Sequence, residues 1–345
     1  MNESKPRRKL AAILAADVVN FSMLMGENED RTLKNLKAPE KPRIRLMYSS
    51  CTHTHFRESG VKVAVVNSVE ELESFELDAT GKPGEDAVRA YERDGVVCLR
   101  GAFSDDWIEQ GRRAIAAVIR TRSYSDQHAT HQEKGESANF FFDTFLWKRL
   151  PSFRKFTFES PASALARTVM RSRSLLLYFD MAIVKEPGTS ARTPWHYDEA
   201  YWPVSGTQVC NVWMALDYVP VETALRFVLG SHKLHDDYRG IDFFTSKSMR
   251  GHTRPAPPRW DLDPGDHKIA CAPMNPGDCA ILNFRTHHSA PGNPQRRNRR
   301  RVICTHWFGD DARFNDKSWE CNPNERGDGL VNGQSLECAT FPRVR

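Results

Sequence analysis

Thr193-Pro194-Trp195-His196-Tyr197-Asp198 is the stretch on which the reading of this chain turns. Side chains alternate across an extended segment with period two, so His196 and Asp198 project to one face and can offer two ligands to one metal ion. Two imidazoles and one carboxylate make a facial triad, the donor set that leaves positions open on non-heme iron(II). The third donor must come from elsewhere in the chain, and we place it at His288.

Working outward, the segments SLLLYFDMAIVKEPG (174–188), VCNVWMALDYV (209–219), ALRFVLGSH (224–232), DCAILNF (278–284) and RRVICTHWF (300–308) read as strands separated by Pro, Gly and Asn turns. Few helices interrupt them. This pattern predicts a mainly β fold with flanking helices (α+β), a barrel or double-sheet jelly roll packed on amino-terminal helices. PGDCAILNFRTHHSAPGN (276–293) is a turn and a strand that ends in the pair His287-His288. The strand after it opens with arginine, so a fixed cation can enter the same cavity. Trp195, Tyr197, Tyr201 and Trp202 surround the motif and either line a substrate cavity or pack the barrel.

Helices are expected where EDAVRAYERD (85–94) ends at the permissive Gly95 and where DDWIEQGRRAIAAVIR (105–120) follows Ser104 as its N-cap. Another is expected around 160–171. The polar segment from Ser123 to Glu136 reads as a loop that leaves His128 and His131 in solvent. The insert from Leu234 to Asn275 is too polar for a core and lies either over the barrel mouth as a lid or on the surface.

The ordered set TPWHYDEAYWP, QVCNVWMALD, LRFVLGSH, then H-S-A-P-G-N, the arginine-led strand and WFGDDARF resembles the phytanoyl-CoA dioxygenase family over about residues 85–315. The resemblance implies a double-stranded β-helix (jelly roll, cupin-like) barrel and an oxidoreductase with Fe(II), 2-oxoglutarate and O2. It implies His196, Asp198 and His288 as iron ligands. His288 directly precedes the S-A-P-G-N loop, whereas His287 would point the other way. Arg300 matches the arginine that binds the far carboxylate of 2-oxoglutarate when the following strand is the ruler, although counting from the distal histidine selects Arg299. Trp213 and Met181 match positions that wall the cosubstrate. The implied reaction hydroxylates an unactivated C–H bond of a small-molecule substrate, giving succinate and CO2; retention of the carboxylate at Asp198 argues against halogenation. The chain departs from the family pattern at VETAL (221–225) and at Leu229, which concern turns. A non-catalytic metal- or ligand-binding jelly-roll barrel is the alternative.

The remaining regions are read as a separate start, 1–38, a linker with a short strand VKVAVV within 39–84, and a carboxy-terminal tail, 316–345. Residues 1–38 resemble the opening strand and helix of a class III adenylate cyclase catalytic domain, with Asp17 at a metal-binding position. Nothing downstream continues that likeness, so the segment reads as a remnant without catalysis. In CTHTHF, His53 and His55 repeat a same-face pair beside Cys51 but lack a completing ligand. The net charge of +5 is concentrated in Arg296, Arg297, Arg299, Arg300 and Arg301, without a nucleic-acid recognition module, so no nucleic-acid partner is expected. The eight cysteines form no C-x-x-C pair, and no apolar run approaches a membrane span. A cytoplasmic protein with reduced thiols, no membrane association and no export signal is the expectation. The pattern says nothing about oligomeric state.

Overall fold

The computed structural model describes residues 69–121, 128–235, 237–321, 323 and 325–344. The chain divides into two units, Met1–Lys62 and Val63–Arg345, and the described residues belong to the second. The readings of 1–38, of Cys51, His53 and His55, and of the strand at 61–66 lie outside them.

The first part runs β1 (Glu70–Glu71), β2 (Ser74–Glu76), α1 (Glu85–Asp94), β3 (Val96–Arg100), α2 (Asp105–Thr121), β4 (His128–His131) and β5 (Phe140–Thr144). Three short helices follow, α3 (Leu146–Arg149), α4 (Pro151–Glu159) and α5 (Ala162–Val169). Then come β6 (Leu175–Lys185), β7 (Thr193–His196), β8 (Val204–Ser205), β9 (Val209–Ala215), β10 (Arg226–Val228) and β11 (Ile269–Cys271). The last strands are β12 (Cys279–Asn283), β13 (His288–Ala290), β14 (Arg300–Phe308), β15 (Arg313–Phe314) and β16 (Arg343–Val344).

Two sheets carry the molecule. The smaller has the order β1-β11-β10-β13-β7; the larger has β2-β3-β12-β9-β14-β6-β5-β4, with β16 added alongside β6. Pairing is antiparallel except for β1 with β11 and β2 with β3. The larger sheet is covered on both faces, so its strands read as continuous apolar runs. On one face Val97, Val184, Val212 and Ile303 pack against Ile115, Phe153 and Leu165 of the helices. On the other, Trp213, Ala280 and Val302 meet Phe227 and Ala270 of the smaller sheet. Helices, large sheet and small sheet thus form three layers, the double-sheeted jelly roll with flanking helices that the strand pattern leads one to expect.

Helix α1 shows how local chemistry reaches the site. It ends at Gly95, which takes φ 78° and donates its N–H to Tyr91. A β-carbon there would lie 2.5 Å from Thr286 Oγ1, so glycine permits both the left-handed cap and the close approach. The Gly95 carbonyl then accepts from the Asn283 N–H (2.8 Å) and from the Thr286 hydroxyl (2.7 Å). The helix cap therefore fixes the turn that delivers His287 and His288.

Two segments differ from the sequence reading. Residues 128–131 form β4 rather than a loop, paired to β5 through backbone groups that need no apolar pattern. The His131 ring stacks on Phe244 at 5.1 Å instead of standing in solvent. Within the segment read as a carboxy-terminal tail, Leu336 and Phe341 pack into the core, both fully buried.

Candidate active site

Strands β7 and β13 lie side by side in the smaller sheet with His196 opposite His288. The extended backbone continues through Tyr197 (φ −132°, ψ 144°), so alternation carries one residue past the strand, and Asp198 opens a 3-10 turn, Asp198–Tyr201. Asp198 Oδ1 lies 3.6 Å from His196 Nε2 and 3.7 Å from His288 Nε2. One donor atom from each of the three residues lies within 4.8 Å of the others. The two carboxylate–imidazole gaps are too long for hydrogen bonds and slightly wider than the roughly 3.0 Å between neighbouring donors on an octahedral ion with bonds of about 2.1 Å.

Each imidazole is oriented through its other nitrogen. His196 Nδ1 lies 2.8 Å from the Pro194 carbonyl, and His288 Nδ1 lies 2.9 Å from the Thr286 carbonyl. A carbonyl oxygen can only accept, so each Nδ1 carries a proton, and in the neutral imidazole Nε2 then presents the lone pair. Burial pulls the His288 pKa down to about 4, assisted by His196. Burial acts to raise Asp198, but His288 and His196 outweigh it and hold the carboxyl below its ordinary value. His288 and Asp198 thus stand as a neutral imidazole and a carboxylate. The second oxygen of Asp198 is buried and has no hydrogen-bond partner among the described residues.

His287 points away from this cluster. Its Nδ1 accepts from Trp260 Nε1 at 3.1 Å, and its ring lies 5.1 Å from Tyr197. Tyr197 and Trp195 likewise point away from the cluster, the former buried against His287 and the latter packed against the group of Trp260 and Val228. Tyr201 and Trp202 line the cavity. Alternation explains the division: the residues flanking His196 must turn opposite to it.

The larger sheet supplies the other wall of a cavity of about 170 Å³. Arg300 faces it and is fully buried, whereas Arg299 pairs with Glu186 (2.9 Å) and Arg301 with Asp217 on the far face. The Arg300 guanidinium donates to the Thr223 carbonyl, yet its buried Nε has no partner among the described residues. Burial lowers its pKa to about 10. Met181 and Trp213 flank Cys304 in register and also line the cavity. An orphan carboxylate oxygen at one end and an orphan guanidinium nitrogen at the other fit a cation and an anion respectively.

Two further polar residues face the cavity without having been given a role from sequence, Asn211 and His306, which lie opposite each other. His306 Nδ1 donates to the Phe179 carbonyl (3.2 Å), its ring stacks on Phe179, and burial lowers its pKa to about 4. Counting in twos from Arg300 and Trp213 reaches both. The insert contributes Ile241, Phe243, Phe244 and Met249 to the cavity and is therefore a lid.

A facial-triad donor set between the sheets of a double-stranded β-helix is the architecture of mononuclear non-heme iron enzymes. The model of the phytanoyl-CoA dioxygenase (PhyH) family matches residues 91–302, and the chain belongs to that family, whose members depend on iron and 2-oxoglutarate. It is 24% identical over 192 residues to a phytanoyl-CoA dioxygenase domain-containing protein 1 homolog of Caenorhabditis briggsae, an alignment covering 44% of this chain and 66% of that protein. Among solved structures, it resembles the non-heme alpha-ketoglutarate-dependent carbocyclase SnoK from nogalamycin biosynthesis, with TM-score 0.59 and 23% identity over 76% of this chain and 97% of the other. It also resembles EctD from S. alaskensis in complex with 2-oxoglutarate and 5-hydroxyectoine, with TM-score 0.58 and 14% identity over 81% and 95% of the two chains. At such identities these likenesses establish the fold.

Proposed function

We propose that this protein is an iron(II)- and 2-oxoglutarate-dependent dioxygenase that hydroxylates an unactivated C–H bond of a small molecule, releasing succinate and CO2. The observation that carries the reading is the locked tautomer of His196 and His288, which aims two lone pairs at the carboxylate of Asp198. In this reading His196, Asp198 and His288 hold the iron, and Arg300 binds the far carboxylate of 2-oxoglutarate. Iron chelated by a 2-oxo acid supplies dioxygen activation and C–H oxidation. Arg300 contributes a buried charged donor whose planar fork suits a carboxylate. Met181 and Trp213 wall the cosubstrate and keep water from it. The buried free thiols of Cys98, Cys210, Cys271, Cys279, Cys304 and Cys321 suit a reducing compartment, and we place the protein in the cytoplasm.

Anaerobic titration of the purified protein with iron(II) and then 2-oxoglutarate tests this reading through the visible charge-transfer band of the chelate. The band is expected in the wild type and lost in His196→Ala. Arg300→Gln is expected to raise the 2-oxoglutarate concentration at half-saturation by about 10–100-fold, from the roughly 1.5–3 kcal/mol of a hydrogen bond to a charged group. Arg299→Gln should leave it near the wild-type value. A folded, iron-binding protein without the band would instead be a non-catalytic metal-binding barrel.

A further inference from the structure

The outer half of the cavity is built from rings. Phe140 and Phe142 stand on β5, and the lid turn brings Phe243 and Phe244 over them. Phe142 and Phe244 stack at 5.5 Å and 26°, and Phe140 meets Phe244 edge-on at 5.6 Å and 79°. Phe243 lies 4.6 Å from the imidazole of His196, so it limits how closely any molecule can approach the metal donors.

Charge is scarce in this half. Among the described residues Asp242 is the one carboxylate of the lining apart from Asp198. Its Oδ1 already accepts from the N–H groups of Phe244 (3.1 Å) and Thr245 (2.7 Å) and from the Thr245 hydroxyl (2.8 Å). Among the described residues Arg300 is the one lysine or arginine of the lining, and it is committed to the cosubstrate in the reading above, on which this inference rests. A phosphate or carboxylate on the substrate would therefore find no second cation among the described lining residues, the nearby Lys185 amine standing behind Phe140 and donating to the Pro291 carbonyl (2.9 Å), and burying it unpaired is unfavourable. An uncharged ring meets the opposite situation, since phenyl groups offer both faces and edges.

We infer that the substrate presents an uncharged, flat ring system to this cavity, packed against Phe142 and Phe244, with Phe243 setting the distance of its oxidised carbon from His196. An acyl-CoA thioester would have to leave its anionic end outside, and its chain would present no π face to stack on Phe142 and Phe244.

The test uses 2-naphthol as an uncharged fused-ring probe and lauroyl-CoA as the anionic thioester. Both are titrated anaerobically into full-length protein already showing the iron–2-oxoglutarate band, with the shift of that band as readout. Saturable binding of 2-naphthol is expected, weakened about 2–10-fold in Phe244→Ala and in Phe142→Ala and by less in Phe244→Leu, which keeps bulk but not the ring. Lauroyl-CoA is expected to give no saturable shift. The inference is overturned if 2-naphthol gives no saturable shift, if it binds the Ala variants as tightly as the wild type, or if lauroyl-CoA saturates the site and displaces it. Absence of the band before any probe is added would count against the oxygenase reading instead, so the two failures are distinguishable.

Discussion

Lys185 is fully buried and pairs in register with Arg300 on the cavity face of the larger sheet. Its Nζ donates to the Pro291 carbonyl (2.9 Å) and stands 4.6 Å from the Phe140 ring centroid, with no carboxylate partner among the described residues. Burial, with Arg300 and Arg192 nearby, pushes its pKa well below the ordinary lysine value. In the unfolded chain the amine binds its proton up to about pH 10.4. Between the lowered native value and that limit the unfolded state holds more protons, so stability contributed by this residue rises with pH and is lost as pH falls. Urea unfolding of wild type and Lys185→Met across this range should show the wild type gaining on the variant as pH increases, by up to about 1.4 kcal/mol per unit. Parallel pH profiles would mean that the native amine keeps its ordinary protonation. At this scale the sequence is informative wherever period two holds. His196 and Asp198, Arg300 rather than Arg299 facing the cavity, and Trp195 and Tyr197 pointing away from the cluster all follow from alternation, whereas the burial of Lys185 depends on the loop carbonyl of Pro291 that no local pattern announces.

Among the elements, the lid is attached to the segment after His196 by two tyrosines. The Tyr197 hydroxyl donates to the Tyr238 carbonyl and accepts from its N–H, both at 3.1 Å. The Tyr201 hydroxyl does the same with Ile241, at 2.8 and 2.9 Å. Each phenol therefore satisfies a donor and an acceptor of a segment that has little regular structure of its own. Tyr201→Phe leaves both Ile241 backbone groups unpaired in a buried setting, at roughly 1–3 kcal/mol for each unsatisfied group. The Ile241 amide should then exchange with deuterium markedly faster while amides of β14 keep their protection; unchanged exchange at Ile241 would show that the lid is held by other contacts. The insert left its placement open in the sequence because its anchors are backbone groups and a few separated apolar residues, Ile241, Phe243, Phe244 and Met249, among charged ones.

For the whole molecule, the carboxy-terminal segment is structural. Phe341 is fully buried, 5.0 Å from the Tyr178 ring and 6.1 Å from Phe308, and β16 extends the larger sheet beside β6. Phe341→Ala should lower stability by about 3–5 kcal/mol in thermal or urea unfolding. A change within about 0.5 kcal/mol would mean that the segment does not belong to the cooperative unit. Its Gly-rich, polar sequence disguises it, because single buried side chains such as Leu336 and Phe341 make no periodic pattern. The architecture was legible from strand spacing, and the division of cavity residues between two sheets follows from it. His196 and His288 belong to one sheet, Arg300, Met181 and Trp213 to the other, so a molecule held at both ends of the cavity is a cross-brace between the two layers. Occupancy is thereby tied to unfolding by mass action, worth about 2.7 kcal/mol at a hundredfold excess over Kd. Melting temperature can thus rank candidate ligands for this cavity without any turnover being measured.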